Sequence, residues 1–450
     1  MEADTVCHLC VFANMDSLWL ACGDLSLVED GTDLMASSFQ YDRAYVRKPG
    51  TFSIDPVSLP IAGRHSAVGR RASPASDLPY FGAIRDATPD SWGRRVIESK
   101  LGAPLNGLPE LQYILNAGSD RVGALDVRSD ASSLPLRGKD SWDILPNLAE
   151  AAGLIERGLP IPQEFANIFV QGAGLGGARP KASVRDERGT LHLAKFSSEG
   201  DRFDVPAVEY ATLRLARMAG LRVPEVRLEL IEGRNVLLVR RFDRYWAIPG
   251  DTAPQGDGRF VRGNAPAGSV EHRIPFVSAL TLAACDEMDS RHLSYGNLAG
   301  CLERYCRTLL AYDGAAELYK RMIFNVFVSN CDDHLRNHGF LWDAELKSWR
   351  LSPVYDVLPS PSHAYERYLH LAVGQEGRLA TLNNAVSRCS EFCLNRREAC
   401  DLIAEVWAAV RDWKTHFRDS GVNAVDVDKV ASAFRHIDDI SSEELRREMP

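Results

Sequence analysis

The 450-residue chain lacks an excess of positive charge. Its 52 lysine and arginine residues are outnumbered by 61 aspartate and glutamate residues, which gives a formal net charge of −9. Proteins that hold nucleic acid through charge need clustered cations that displace the counterions around the phosphates. The composition therefore argues against a charge-driven grip on DNA or RNA, and we expect any connection with DNA to run through a partner.

Long apolar runs and a basic leader are also missing. No uninterrupted apolar stretch is long enough to cross a bilayer, and Met1-Glu2-Ala3-Asp4 carries no basic segment. The ten cysteines have no repeating spacing, which argues against a disulfide framework. We therefore expect a cytoplasmic protein with reduced thiols and no membrane contact. With 45% hydrophobic and 25% charged residues, the chain is long enough for two or three globular domains.

The most informative pattern that is present lies in the last third of the chain. Asn330-Cys331-Asp332-Asp333-His334-Leu335-Arg336-Asn337 is followed by Tyr355-Asp356. Phosphoryl transfer needs metal ligands, cations on the phosphates and a carboxylate that orients the incoming hydroxyl. In the protein-kinase catalytic loop the base Asp is followed five residues later by a magnesium-binding Asn, and Asp332 and Asn337 keep that interval. Asp356 is placed to be the second magnesium-binding acid, so the pattern predicts a phosphotransferase.

The segments around these acids support that interpretation. Residues 322–328 form an apolar run that predicts a buried helix or strand leading into the polar loop. Residues 340–342 and 349–351 flank a polar turn, which predicts a β-hairpin that returns Asp356 to the side of Asp332. The alternative for each acid taken alone is an ordinary residue of a surface loop.

A glycine-rich stretch upstream is typical of a phosphate-covering loop. Gly172, Gly174 and Gly177 are spaced so that backbone N–H groups can approach phosphate oxygens without a side chain in the way. Residues 191–196 read as a strand with Lys195 on the face of alternate leucines, where it can reach the phosphates. The alternatives are a plain flexible turn and a lysine exposed on an edge strand.

A second apolar strand, residues 235–239, breaks into the charged turn Arg240-Arg241-Phe242-Asp243-Arg244. Such a break is expected of a hinge between two lobes, where backbone groups near Arg240 and Phe242 can meet adenine. The alternative is a structural salt-bridge cluster of Arg241, Asp243 and Arg244, and both interpretations can hold together.

Several short motifs, spread over nearly the whole chain, occur together in one family. They are Phe39-Gln40-Tyr41-Asp42, Ser58-Leu59-Pro60, Pro89-Asp90-Ser91-Trp92-Gly93-Arg94-Arg95, Gly176-Gly177-Ala178-Arg179-Pro180-Lys181, Arg241-Phe242-Asp243-Arg244 and the two acid motifs. With these motifs the chain resembles the HipA-type toxin serine/threonine kinases of bacterial toxin–antitoxin systems. The two acid motifs are the specific part of the resemblance.

The resemblance implies an α+β fold: a two-lobed, protein-kinase-like structure with an additional N-terminal α/β subdomain and a mainly helical C-terminal lobe. The expected division is residues 1–135 for the N-terminal subdomain, 136–260 for the kinase N-lobe with its glycine-rich loop, and 261–450 for the helical C-lobe.

The resemblance also implies roles for residues. Asp332 resembles the catalytic base, Asn337 and Asp356 the magnesium ligands, and Lys195 the phosphate-binding lysine, with ATP and Mg²⁺ as cofactors. The expected nucleotide contacts are Gly174, Gly176, Gly177, Ala178, Lys181, Lys195, Arg240, Phe242 and His334. Many relatives carry a serine in the glycine-rich loop whose phosphorylation silences the kinase, whereas this chain has Ala173 and Gly174 there.

The family's partners and targets supply further expectations. They are phosphorylation of an aminoacyl-tRNA synthetase, arrest of translation, and a helix-turn-helix, HipB-like antitoxin that binds operator DNA and recruits the kinase as a corepressor. Two alternatives remain open: a small-molecule kinase with the same arrangement of acids, and a catalytically silent corepressor scaffold. Retention of Lys195, Asp332, Asn337 and Asp356 argues against the silent scaffold.

Overall fold

A computed structural model describes residues 5–63, 65–136, 142–159, 161, 177–248 and 268–450. The chain divides into two compact units: unit 1 comprises Met1–Gly200 and Glu229–Val277, and unit 2 comprises Asp201–Leu228 and Ser278–Pro450. Each unit combines segments that are distant in sequence. The predicted division into three consecutive segments stays a prediction.

The strands have the following bounds. They are β1 (Thr5–Met15), β2 (Leu18–Asp30), β3 (Asp33–Tyr41), β4 (Leu125–Arg128), β5 (Lys181–Arg185), β6 (Leu191–Lys195), β7 (Val226–Ile231), β8 (Arg234–Arg240), β9 (Arg244–Ala247), β10 (Val270–Arg273), β11 (Phe276–Ser278), β12 (Gly339–Asp343) and β13 (Ser348–Leu351).

The α-helices have the following bounds. They are α1 (Arg43–Arg47), α2 (Gly82–Asp86), α3 (Ser91–Leu101), α4 (Glu110–Asn116), α5 (Leu145–Glu156), α6 (Val205–Met218), α7 (Ala279–Leu282), α8 (Tyr295–Tyr305), α9 (Thr308–Val328), α10 (Leu382–Val386), α11 (Arg396–Val410), α12 (Trp413–Asp419), α13 (Ala424–Val430), α14 (Ile437–Ile440) and α15 (Glu443–Glu448). Short 3₁₀ helices cover Ala75–Asp77, Trp142–Ile144, Ser290–His292, Leu335–Asn337, Cys389–Phe392 and Ala431–Ala433.

Unit 1 contains one four-stranded sheet and most of the strands of a second. The first has the order β3-β2-β1-β4, and β1 pairs antiparallel with both β2 and β4. The second has the order β5-β6-β8-β7. In this second sheet Ala182, Ala194 and Leu238 share one face and join the core cluster formed with α3 and α5. Because successive residues of a strand point to opposite faces, the residues between them face away from this core.

The strand predicted over residues 191–196 is therefore present as β6, and the strand predicted over 235–239 lies within β8. Successive side chains of a strand point to opposite faces of the sheet. Because β6 and β8 pack against the core on one face, the side chain of Lys195 lies on the other face.

Unit 2 is mainly helical. Its longest helix, α9, contains the apolar run predicted over residues 322–328, and this part of the helix is buried. The predicted β-hairpin is confirmed as β12 and β13, which pair antiparallel with Phe340 opposite Leu351. In the part of the chain that the structure describes, no helix combines the length and the apolar character needed to span a membrane.

Candidate functional site

The loop that carries Asp332 begins where α9 ends. Ser329 closes the helix in the left-handed region, with φ of 48°, and the Asn330 N–H donates to the Asn325 carbonyl at 3.1 Å. A non-glycine residue adopts this conformation only where its surroundings enforce it. The chain is thereby turned sharply out of the helix before it reaches Asp332.

Asp332 and Asn337 are held together within this loop. The Asp332 carbonyl accepts a hydrogen bond from the Asn337 side-chain Nδ2 at 3.0 Å and another from the His334 N–H at 2.9 Å. Asn337 is buried, whereas Asp332 is exposed. Among the described residues, the Asp332 carboxylate has no hydrogen-bond donor. The loop therefore presents this carboxylate to solvent while it fixes the backbone behind it.

The adjacent Asp333 points into the protein. Its Oδ2 accepts hydrogen bonds from the Tyr295 hydroxyl at 2.5 Å, from Asn325 Nδ2 at 2.7 Å and from His338 Nε2 at 2.9 Å. Burial acts to raise the pKa of Asp333, but its contacts with His338 and Tyr295 outweigh burial and hold the pKa below its ordinary value. Burial together with the Asp333 carboxylate raises the pKa of Tyr295 well above its ordinary value, so its hydroxyl remains a donor.

The chain that carries Asp356 runs back along this loop. The Ser352 N–H donates to the Gly339 carbonyl at 2.8 Å, and the Ser360 N–H donates to the Ser329 carbonyl at 3.0 Å. Residues 352–360 therefore lie antiparallel to residues 329–339. Asp356 occupies the middle of this segment, opposite the stretch that carries Asp332 and Asn337.

Two details fix the Asp356 position further. The hydroxyl of Tyr355 donates to the Arg336 carbonyl at 2.7 Å, which ties the segment to the turn just before Asn337. Asp356 itself has φ of 58°, in the left-handed region that few non-glycine residues adopt. Strained backbone of this kind clusters at functional sites.

Two ligands such as Asn337 and Asp356 are suited to a magnesium ion rather than to a metal whose ligands all come from the protein. Mg²⁺ prefers oxygen ligands and is usually bound by one or two carboxylates together with waters and substrate phosphates. An amide oxygen and a carboxylate fit that donor set. In the described ranges, no cluster of three or more His, Cys, Asp or Glu side chains is placed to hold a metal ion.

His334 lies in the same loop, with its ring edge-to-face against His370 at 5.8 Å between centroids. The second ring is anchored by a hydrogen bond between His370 Nε2 and Ser290 Oγ at 2.8 Å. Burial and the neighbouring His334 lower the pKa of His370. A role of His334 in nucleotide binding stays a prediction.

In unit 1, Lys181 and Lys195 are directly opposed. They are Cα partners in the antiparallel pairing of β5 with β6, and both are buried. Directly opposed residues lie on the same face of a sheet, and like charges there repel each other. The pairing therefore brings two of the residues predicted to contact phosphate onto one face of the sheet.

The predicted glycine-rich loop is described only at its end. Gly177 has φ of 104°, which glycine adopts without strain, and exposed Ala178 follows it on the way to β5. Gly174 and Gly176, like Gly172 and Ala173, lie outside the described residues.

The charged turn after β8 contains the predicted salt-bridge cluster. Asp243 accepts hydrogen bonds from Arg241 Nη2 at 2.7 Å, from Arg244 Nη1 at 2.6 Å and from the Gly123 N–H at 2.7 Å. Burial acts to raise the pKa of Asp243, but Arg241 and Arg244 hold it well below its ordinary value. Asp120 adds a second carboxylate, 3.0 Å from Arg244.

Arg240 and Phe242 flank this cluster. Arg240 is buried at the end of β8, opposite His192 and so on the other face from Lys195, while Phe242 is half-buried in the turn. The structural interpretation of Arg241, Asp243 and Arg244 is therefore confirmed. The adenine contact by backbone groups near Arg240 and Phe242 stays a prediction.

Sequence reasoning missed the partners of Asp333. Tyr295 and Asn325 contribute to the polar network behind the loop from 38 and 8 residues away. The one local signal is Asp333 itself, an acid directly beside Asp332 that the spacing argument leaves without a role.

Comparison with known proteins gives a concordant result. Residues 173–414 match the family described as HipA-like C-terminal domain. The protein Y4mE of Sinorhizobium fredii, whose name assigns it as a kinase, is 25% identical over 346 residues, covering 72% of each chain. A Haemophilus influenzae protein, also named as a kinase, is 24% identical over 215 residues, covering 44% of this chain and 56% of its own.

Among solved structures, the HipA protein of Shewanella oneidensis MR-1, determined in a toxin–antitoxin complex with HipB and operator DNA, is similar. It aligns with a TM-score of 0.64 and 17% sequence identity, and the alignment covers 94% of both chains. At this identity the likeness shows the fold. The predicted α+β fold of the HipA type is thereby confirmed.

Proposed function

Because the chain belongs to the family of HipA-like C-terminal domains, we propose that it is an ATP- and magnesium-dependent kinase. The acceptor is a serine or threonine hydroxyl of a protein. The observation that supports the proposal is in unit 2, where residues 352–360, which include Asp356, run antiparallel to residues 329–339, which include Asp332 and Asn337. Protein kinases use such a set of two acids and an amide for phosphoryl transfer.

Asp332 has the role of base in this proposal. Its carboxylate is exposed and so can meet the hydroxyl of a large substrate. The hydroxyl oxygen forms a bond to the γ-phosphorus while the bond from that phosphorus to the β–γ bridging oxygen breaks. ADP leaves, and the hydroxyl proton passes to the Asp332 carboxylate.

The other residues bind and orient the nucleotide. Asn337 Oδ1 and the Asp356 carboxylate would hold a magnesium ion, which would supply charge neutralisation for the phosphates of ATP. Lys181 and Lys195 supply positive charge from their shared sheet face in unit 1. Gly174, Gly176, Gly177 and Ala178 would offer backbone N–H groups to the phosphates.

A DNA-binding partner belongs to the same proposal. The similar Shewanella HipA was determined with HipB and operator DNA, and this chain carries a net charge of −9. Both facts are consistent with a complex in which a helix-turn-helix antitoxin makes the main DNA contacts and this chain acts as corepressor. We propose an aminoacyl-tRNA synthetase as the phosphorylated protein.

The test is transfer of labelled γ-phosphate from ATP into proteins of a ribosome-depleted bacterial extract, with the intact chain and with Asp332→Asn. A discrete labelled protein that appears only with the intact chain supports a protein kinase and provides the substrate for identification. Labelling of a small metabolite instead would replace the proposal by a small-molecule kinase. ATP binding without any transfer would favour a silent corepressor scaffold.

Replacing Asp356 by Asn should abolish most of the magnesium dependence of ATP binding. Asparagine tolerates the left-handed backbone that Asp356 adopts, so the loop keeps its course while one formal charge facing the cation is lost. We expect magnesium-dependent ATP affinity to fall at least about tenfold, since one charge beside a divalent ion contributes more than 1.4 kcal/mol. Isothermal calorimetry with and without magnesium measures this change.

The matched control is Asp428→Asn, which removes an exposed acid from α13 in the same unit. This variant should keep the full magnesium effect. If Asp356→Asn binds ATP as the intact chain does in both conditions, Asp356 is not a metal ligand.

A further inference from the structure

The segment Pro89-Asp90-Ser91-Trp92 has no part in the proposed chemistry. It contacts Gly177 and Lys181, however, which belong to the part of unit 1 that is proposed to bind phosphate. Asp90 stands at the N-cap position of α3. An N-cap aspartate ordinarily accepts a hydrogen bond from an N–H of its own helix. Asp90 caps no N–H of α3, and its Oδ2 instead accepts from the Gly177 N–H at 2.7 Å.

The start of α3 holds Gly177 from its other side as well. The first N–H groups of a helix have no partner inside the helix. One of them, on Trp92, donates to the Gly177 carbonyl at 3.1 Å. The indole Nε1 of Trp92 also donates to the Lys181 carbonyl at 2.9 Å, and the Trp92 side chain is fully buried in the core of unit 1.

Gly177 in turn lies against the side chain of Lys181. A Cβ atom built on Gly177 would stand 2.2 Å from Lys181 Nζ. The ammonium group therefore occupies the space that any other residue at position 177 would fill. Lys181 is also the cross-strand partner of Lys195. Gly177 therefore lies against the ammonium group of one of these two opposed lysines.

From these contacts we infer that Asp90 and Trp92 are positioning residues for the ATP phosphates. They hold Gly177 at its N–H and its carbonyl, and thereby fix Lys181 at the end of the glycine-rich loop. This inference rests on the proposed kinase function. Neither side chain is assigned a contact with a reacting atom, and both act through Gly177 and Lys181.

A purely structural role for Asp90 makes a different prediction. If Asp90 only tethers α3 to the sheet, its loss lowers the folded fraction and therefore kcat per total protein, while KM for ATP stays constant. If Asp90 positions the phosphate-binding end, its loss raises KM for ATP and leaves kcat at saturating ATP nearly unchanged. The split between KM and kcat separates the two roles.

The experiment compares Asp90→Ala, Asp90→Asn and Asp42→Ala with the intact chain. Asp42 is a matched control, since it is the N-cap residue of α1 in the same unit and accepts from the Ala44 N–H of its own helix at 2.6 Å. Asp90→Ala should raise KM for ATP about tenfold, as expected for a lost hydrogen bond to a charged group. Asp90→Asn keeps an acceptor for Gly177 and should fall between Asp90→Ala and the intact chain.

Asp42→Ala should lower the midpoint of thermal unfolding and leave KM for ATP unchanged. The inference is overturned if Asp90→Ala and Asp90→Asn keep the KM of the intact chain, or if only kcat falls in proportion to the folded fraction. Activity of the intact chain is measured first. If the intact chain transfers phosphate and the variants keep its KM for ATP, the inference alone is refuted. If the intact chain transfers no phosphate, both the proposed function and the inference are refuted.

Discussion

Asp332→Asn should lower the rate of phosphate transfer at least roughly 100-fold, the lower end of what positioned acid–base groups contribute. The amide that replaces the carboxylate cannot accept the proton of the acceptor hydroxyl. Binding of ATP should persist, because Asp332 is assigned no phosphate or metal contact. The measurement is single-turnover transfer of labelled phosphate under saturating ATP.

The fold should be unaffected by the same substitution. The Asp332 side chain is exposed, and the two hydrogen bonds that hold the residue go to its backbone carbonyl. Surface substitutions of this kind change the free energy of unfolding by about 0.5 kcal/mol or less. Asp401→Asn, on the exposed side of α11, serves as the control and should retain full transfer. Unchanged turnover in Asp332→Asn would remove its assignment as the base.

Asp333→Asn should have the opposite phenotype, although the two residues are neighbours. Asp333 is buried and accepts hydrogen bonds from Tyr295, Asn325 and His338 on a single oxygen. A hydrogen bond to a charged group contributes about 1.5–3 kcal/mol. Because asparagine retains one acceptor oxygen but loses the charge that three donors share, we expect the free energy of unfolding to fall by about 3 kcal/mol, at the upper end of that range. Urea unfolding of the intact chain and both variants measures it.

The pH dependence of this loss follows from the lowered pKa of Asp333. A carboxyl whose pKa is lower in the folded state stabilises the fold above its ordinary pKa of 3.8, and this contribution is lost as the pH falls through the folded-state value. The difference in unfolding free energy between the intact chain and Asp333→Asn should therefore be constant near neutral pH. This difference in unfolding free energy should become smaller below pH 3.8. A difference that grows in acid would contradict the assignment of Asp333 as a buried carboxylate.

The local structure of the site could be predicted because it depends on short spacings. The apolar run over residues 322–328 predicted a buried helix or strand, and the structure has it as the end of α9. Two apolar segments around a polar turn predicted the β12–β13 hairpin before any tertiary contact was known. The same holds for Lys195, whose face follows from the period of two in a strand. Within one helix or strand, the backbone geometry alone determines the face on which the side chain of each residue lies.

The roles of neighbouring acids could not be predicted in this way. Asp332 and Asp333 are adjacent and chemically identical, yet one is exposed and the other is buried beneath three donors. Which of them points inward depends on α8 and α9 packing against the loop. A buried negative charge is tolerated only where hydrogen-bond donors surround it. Two of the donors to Asp333 lie on α8 and α9.

By itself, the sequence determined the kinase-like spacing of Asp332, Asn337 and Asp356, the acidic balance of the chain, and the motifs that place it in its family. The tertiary structure alone decided the pairing of Lys181 with Lys195 and the contact of Asp90 with Gly177, 87 residues away. The physical reason is that spacing and periodicity are properties of a single segment. Register and long-range hydrogen bonds exist only after the chain has buried its apolar faces and brought distant segments together.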